Sequence, residues 1–221
     1  MRYEAFRQSQ KEVWITSGHV RVGGFLAVPP DAKGIVLFAH GSGSSRFSSR
    51  NNYVASVLHA AGIATLLFDL LMPEEEMDRR NVFDIDLLAS RLLLATDWVE
   101  SSEELASLPM GYFGASTGSA AALKASVMCN RDIFAIVSRG GRPDMAADIL
   151  DRVSAPTLLI VGGNDTLVLE LNEEAYRSLP CEKRLVVVPG ATHLFEEPGA
   201  LEEVARLARD WFVGHLYGSG I

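Results

Sequence analysis

The chain has 221 residues, 48% of them hydrophobic and 22% charged, with 20 basic against 28 acidic side chains for a formal charge of −8. That composition suits a globular domain with a substantial core, and the acidic excess argues against nucleic acid, which would need a basic face. No segment approaches the roughly 18 uninterrupted apolar residues of a membrane span, and the opening MRYEAFRQSQKE has no signal-like apolar region, so a cytoplasmic location is expected.

One domain over residues 1–221 is expected, with no repeat, low-complexity block or long linker. A period-two stretch from Val13 to Val28, broken by Ser-Gly-His and by Gly-Gly, predicts an antiparallel hairpin ending at Pro29-Pro30. Beyond it, short apolar runs alternate with helical periodicity, the pattern of a parallel sheet covered on both faces by helices. The predicted strands are Ile35 to His40, Ala64 to Asp69, Met110 to Ala115, Ile133 to Ser138, Thr157 to Gly162 and Arg184 to Pro189. Helices are expected over Arg50 to Ala61, Asn81 to Ser101, Ser119 to Asn130, Leu169 to Ser178 and Leu201 to Leu216. Gly140 to Ser154 has room for one short helix and none for a large cap domain.

Ligands of open parallel sheets bind beyond the carboxyl ends of the strands, so the residues following each strand carry the functional reading. These are small and polar here: HGSGSSR, STG, RGGR, GNDT and GATH. They bring Ser116, Asp165 and His193 to one edge of the sheet. A serine hydroxyl needs a base to become a nucleophile, imidazole has the intrinsic pKa for it, and a carboxylate fixes the imidazole tautomer. The oxyanion needs preorganised amides, and those of Ser42 and Thr117 are the candidates. Gly114 and Gly118 should relieve a tight turn around Ser116, and the small residues Ser119 to Ala122 should let the following helix lie close to the sheet.

From Lys33 onward the chain resembles the α/β-hydrolase superfamily, and more narrowly its small lidless members similar to dienelactone hydrolases. The likeness rests on the HGSG loop, the GASTG elbow, the acid in VGGND and the late PGATH, in the family's order. It implies a serine hydrolase acting on a small carboxylic ester, thioester or lactone through Ser116, Asp165 and His193, with the Ser42 and Thr117 amides as oxyanion hole. Dienelactone hydrolases proper use cysteine where this chain has Ser116, so lactone specificity is not carried over. No metal and no organic cofactor are expected. The expected partner is a small-molecule ester, not nucleic acid or a membrane, and a homodimer is left open.

Other readings stand beside this one. The pentapeptide could be a turn with a helix cap, the chain could pass acyl groups to an acceptor other than water, or it could be a binding protein that keeps the fold without turnover. His40 reads as a structural histidine of its loop. Asp69 and Asp144 are rival carboxylates, more in keeping with loop or cap roles. A dinucleotide fingerprint fails at position 46, where Arg stands for the third glycine. Arg46, Arg50, Arg139 and Arg142 are surface or ion-paired by default, with Arg139 singled out as a residue that orders the site or meets an acidic substrate group. Leu71, Met72, Phe83, Leu167 and Leu194 are candidates for an acyl pocket. Cys129 and Cys181 lack metal-type spacing and are expected to be reduced thiols.

Overall fold

The computed structural model describes residues 2–216. Helix α1 (Arg2–Ser9) leads into the hairpin β1 (Lys11–Ser17) and β2 (Val20–Ala27). Then follow β3 (Gly34–Ala39), α2 (Ser49–Ala60), β4 (Ile63–Phe68), the single turn α3 (Pro73–Glu76), α4 (Ile85–Glu100), β5 (Met110–Ala115) and α5 (Thr117–Met128). The chain continues through β6 (Ile133–Arg139), β7 (Thr157–Gly162), α6 (Thr166–Ser178), β8 (Lys183–Val188) and α7 (Ala200–Leu216). Between β6 and β7 lie two 3-10 turns, at Pro143–Ala146 and Leu150–Arg152, in place of the one short helix expected there. No helix among the described residues is long and apolar enough to cross a membrane.

The sheet order is β1-β2-β4-β3-β5-β6-β7-β8. β1 pairs with β2, and β2 with β4, antiparallel, and every later pair is parallel. Side chains alternate between faces along a strand, and a strand buried on both sides must be apolar throughout. β3 shows it: Ile35, Leu37 and Ala39 join a core with α4, α5 and α6, while Val36 and Phe38 join a second core with α1, α2 and α7. Fully buried Ile35, Val36, Leu37 and Phe38 each stabilise the fold by roughly 1.5–3 kcal/mol.

This topology locates the site. The chain leaves β3 through α2 to form β4 on one side, then returns through α4 on the other face to form β5 on the opposite flank of β3. The connections therefore diverge at the carboxyl ends of β3 and β5, opening a crevice there. Helix α5 comes close to the sheet because its second residue is glycine: a Cβ on Gly118 would sit 2.1 Å from the Ala39 carbonyl oxygen.

Candidate active site

Ser116 follows β5 directly and has φ 52° and ψ −123°, a region that non-glycine residues avoid. The surroundings hold it there. Its amide donates to the Arg139 carbonyl at 3.2 Å, and its carbonyl accepts from the amides of Ser119 at 3.0 Å and Arg142 at 3.1 Å. Such a turn lifts a side chain clear of the sheet edge.

Asp165 follows β7 and His193 follows β8, and the two meet: His193 Nδ1 lies 2.6 Å from Asp165 Oδ2. A carboxylate there fixes the tautomer with hydrogen on Nδ1 and leaves Nε2 as the free base. Glycine at 140, with φ 51°, lets the chain after β6 pass close to the His193 backbone, since a Cβ there would lie 3.2 Å from the His193 carbonyl oxygen. Ser116 and His193 line one open cavity of about 520 Å³. No hydrogen bond joins their side chains among the described residues; in unliganded sites such bonds are commonly long and tighten around substrate.

The glycine-rich loop after β3 crosses above the nucleophile. Gly41 permits it, because a Cβ there would come 2.9 Å from that of Ser116. The loop is pinned from below by His40, whose Nε2 accepts the Leu70 amide at 3.0 Å while Nδ1 lies 3.0 Å from the Gly41 carbonyl. These two partners require the neutral tautomer with hydrogen on Nδ1, which donates to Gly41. Burial lowers the His40 pKa from its ordinary 6.5, against smaller opposing effects of the Gly41 bond and the Asp69 charge. His40 is thus structural, as its sequence context indicates.

A stability consequence follows. Unfolding lets His40 take up a proton below about pH 6.5, which the folded chain resists, so its contribution is intact above that pH and declines below it. Stability measured by urea denaturation should fall between pH 6.5 and 5 with a slope of up to about 1.4 kcal/mol per pH unit from this group. His59, also lowered by burial, adds in the same direction. In His40→Gln the slope should become shallower; an unchanged slope would show that His40 does not titrate in this way.

Ser42 and Thr117 are brought together, and with more contact than the sequence shows. The Ser42 amide donates to Thr117 Oγ1 at 3.1 Å, so a threonine side chain holds that amide beside the Thr117 backbone.

The rival carboxylates are occupied elsewhere. Asp69 accepts the Arg46 amide at 2.8 Å and pairs with its guanidinium, which also lies 3.2 Å from Glu12. Asp144 pairs with Arg142 at 2.7 Å. Arg50 reaches the exposed Glu196 at 3.3 Å.

Arg139 departs from the default of a surface or ion-paired arginine. It is 8% exposed, lines the cavity, and has no acidic partner among the described residues. Burial, with the nearby positive charge of Arg50, brings its pKa down to about 10. The acyl-pocket candidates divide. Leu194 lines the cavity, whereas Leu71 is buried in the core with Met72 packed against that core, and Leu167 and Phe83 face solvent. The cavity wall is instead built largely from the serines at 42, 44, 45, 48 and 49, with Phe47. That polar lining is carried by GSGSSRFSS, whose first part the sequence marks as the oxyanion loop while its later serines and Phe47 carry no signal of lining a cavity.

A mostly parallel sheet with helices on both faces, a strained residue after β5, and a carboxylate-held histidine after β8 define an α/β-hydrolase. The chain belongs to the dienelactone hydrolase-like branch of that superfamily, a hydrolase family: it is 55% identical to the dienelactone hydrolase of Anabaena variabilis, with a TM-score of 0.89, over 93% of this chain and 98% of that one. The esterase Est1E of Butyrivibrio proteoclasticus shares the fold, with a TM-score of 0.81 at 16% identity over 94% of this chain and 99% of that one. In sequence the chain is 62% identical over 210 residues to a Mycobacterium tuberculosis protein named "Putative phosphoribosyl transferase", covering 95% of this chain and 47% of that protein. It therefore spans about half the length of the curated relatives it matches. No family model matches.

Proposed function

We propose that the protein hydrolyses small carboxylic esters, or the related thioesters and lactones, through an acyl-enzyme on Ser116. The observation that carries this reading is the strained Ser116 sharing one cavity with a His193 held at 2.6 Å by Asp165. His193 Nε2 takes the Ser116 proton as Oγ bonds to the carbonyl carbon. The Thr117 amide meets the oxyanion, joined by the Ser42 amide as its N–H turns from Thr117 Oγ1 toward the developing charge. Collapse expels the alcohol with the proton from His193, and water repeats the cycle to release the acid. These steps call for no metal or organic cofactor. The chain matches only half of the relatives named as transferases, so their name is not carried over to it.

A fluorophosphonate probe tests the reading directly, because it labels only an activated serine. The wild-type chain should label and Ser116→Ala should not; an unlabelled wild type would leave a binding protein with this fold. The open, serine-lined cavity favours short acyl chains, and para-nitrophenyl acetate should be turned over faster than the decanoate.

Thr117 acts twice in this arrangement, through its amide and through the hydroxyl that holds Ser42. Thr117→Val should lower kcat about tenfold with little change in KM, because the Ser42 amide loses the contact that holds it beside the site, a smaller fault than outright loss of an oxyanion donor, which costs on the order of 10² to 10³ in rate. Thr117→Ser should restore it. Equal losses in both variants would mean that the hydroxyl does not position the Ser42 amide.

A further inference from the structure

The active-site cavity has a feature that ester hydrolysis does not use. Arg139 is packed at the end of β6, paired in register with Ala115 beside the nucleophile. Its Nε and Nη1 are buried without a hydrogen-bond partner among the described residues, and the side chain lines the cavity. A buried guanidinium left unpaired is costly, and an unsatisfied group of this kind calls for a specific explanation, of which an arriving counter-charge is one.

Two further elements converge on the same wall. Arg50 lines the cavity, has its own Nε buried without a partner, and lies close enough for its charge to act on Arg139. Arg50 pairs at 3.3 Å with the exposed Glu196 and shares a neighbouring surface cavity with Glu196, Glu197 and Glu202, whereas no acidic residue among the described residues lines the cavity it shares with Arg139. Arg50 also belongs to the first turn of α2, a twelve-residue helix whose N-cap is Ser48. Ser48 and Ser49 line the cavity there, and the amides of Ser49 and Arg50 fall in the turn that lacks intrahelical acceptors.

We propose that Arg139, Arg50 and the first turn of α2 form a subsite for a phosphate group carried by the substrate, so that the ester hydrolysed at Ser116 is a phosphorylated one. Two guanidinium groups from different elements, two serine hydroxyls and a helix N-terminus surround a tetrahedral dianion from several directions, whereas a planar carboxylate is satisfied by one fork. The proposal rests on the ester-hydrolase reading for the second half of its statement only, because the subsite binds phosphate whether or not Ser116 turns over.

Calorimetric titration of the full chain with inorganic phosphate tests the subsite. Binding in the low millimolar range or tighter is expected, weakened at least tenfold in Arg139→Gln and in Arg50→Gln. Arg50 is partly exposed, so its variant answers the question even where the Arg139 variant fails to fold. Kinetics with three para-nitrophenyl esters then identify the group: those of 3-phosphonopropanoic, succinic and butanoic acids. The phosphonate ester should exceed the butanoate at least tenfold in kcat/KM and should also exceed the succinate, with the ratio collapsing in Arg50→Gln. Phosphate binding that is absent or indifferent to both arginines would overturn the subsite. A preference for the succinate would overturn its assignment to phosphate. Phosphate binding as expected with no ester turned over would instead count against the hydrolase reading and leave the subsite standing.

Discussion

Alanine at Ser116, alanine at His193, and both together are expected to lower kcat/KM for a small para-nitrophenyl ester by nearly the same factor, on the order of 10⁵. The nucleophile and its base act as one unit: without the imidazole the hydroxyl keeps its proton, and without the hydroxyl the imidazole has nothing to activate. Asp165→Asn should cost less, about 10⁴, because it disturbs the tautomer of His193 while leaving both reacting groups in place. The two side chains meet at 2.6 Å, so the amide would also replace the carboxylate that stabilises the imidazolium. Steady-state kinetics on the four variants check this. Independent losses that multiply in the double variant would show that Ser116 and His193 do not work together.

The distribution of what could be read from the sequence has physical causes. Strands buried on both faces are apolar without interruption, so runs such as IVLF and TLLIV declare themselves, and the predicted strands agree with the structure to within one residue at their ends. Strand ends in a parallel sheet all point one way, so the meeting of Asp165 and His193 was legible although 28 residues separate them. Helix α1 was not foreseen, because RYEAFRQS shows one large buried side chain, Phe6, whose place is fixed by its edge-on contact with His59 at 5.3 Å. The lining of the cavity was legible only in part. Leu71 and Leu167 stand after strands as Leu194 does, but which loop residue turns inward depends on loop conformation, and periodicity does not reach there. Arg139 shows the same limit from the other side. Its position at a strand end was readable, while the lack of an acidic partner among the described residues is a property of every surrounding element at once.

Gly118→Ala should be strongly damaging for so small a substitution. Alanine is the better helix former by about 1 kcal/mol, so propensity alone favours the change. Space decides against it: the added Cβ would lie 2.1 Å from the Ala39 carbonyl oxygen and 2.6 Å from that of His40, both backbone atoms that cannot swing aside. Helix α5 must then withdraw from β3, against the close packing of Ala120, Ala121 and Ala122. A net loss of about 2–3 kcal/mol is expected, a fall in Tm of roughly 5–10 °C for a chain of this size. The withdrawal also moves the Thr117 amide and its hydroxyl away from Ser42, and a displacement near 1 Å at a reacting centre costs on the order of 10² in rate. Gly214→Ala in α7 supplies the control, since nothing lies within 4 Å of the added atom. There the same substitution should leave activity intact and raise stability by up to about 1 kcal/mol. If both variants shifted Tm alike, close approach of α5 to the sheet would not be what glycine at 118 provides.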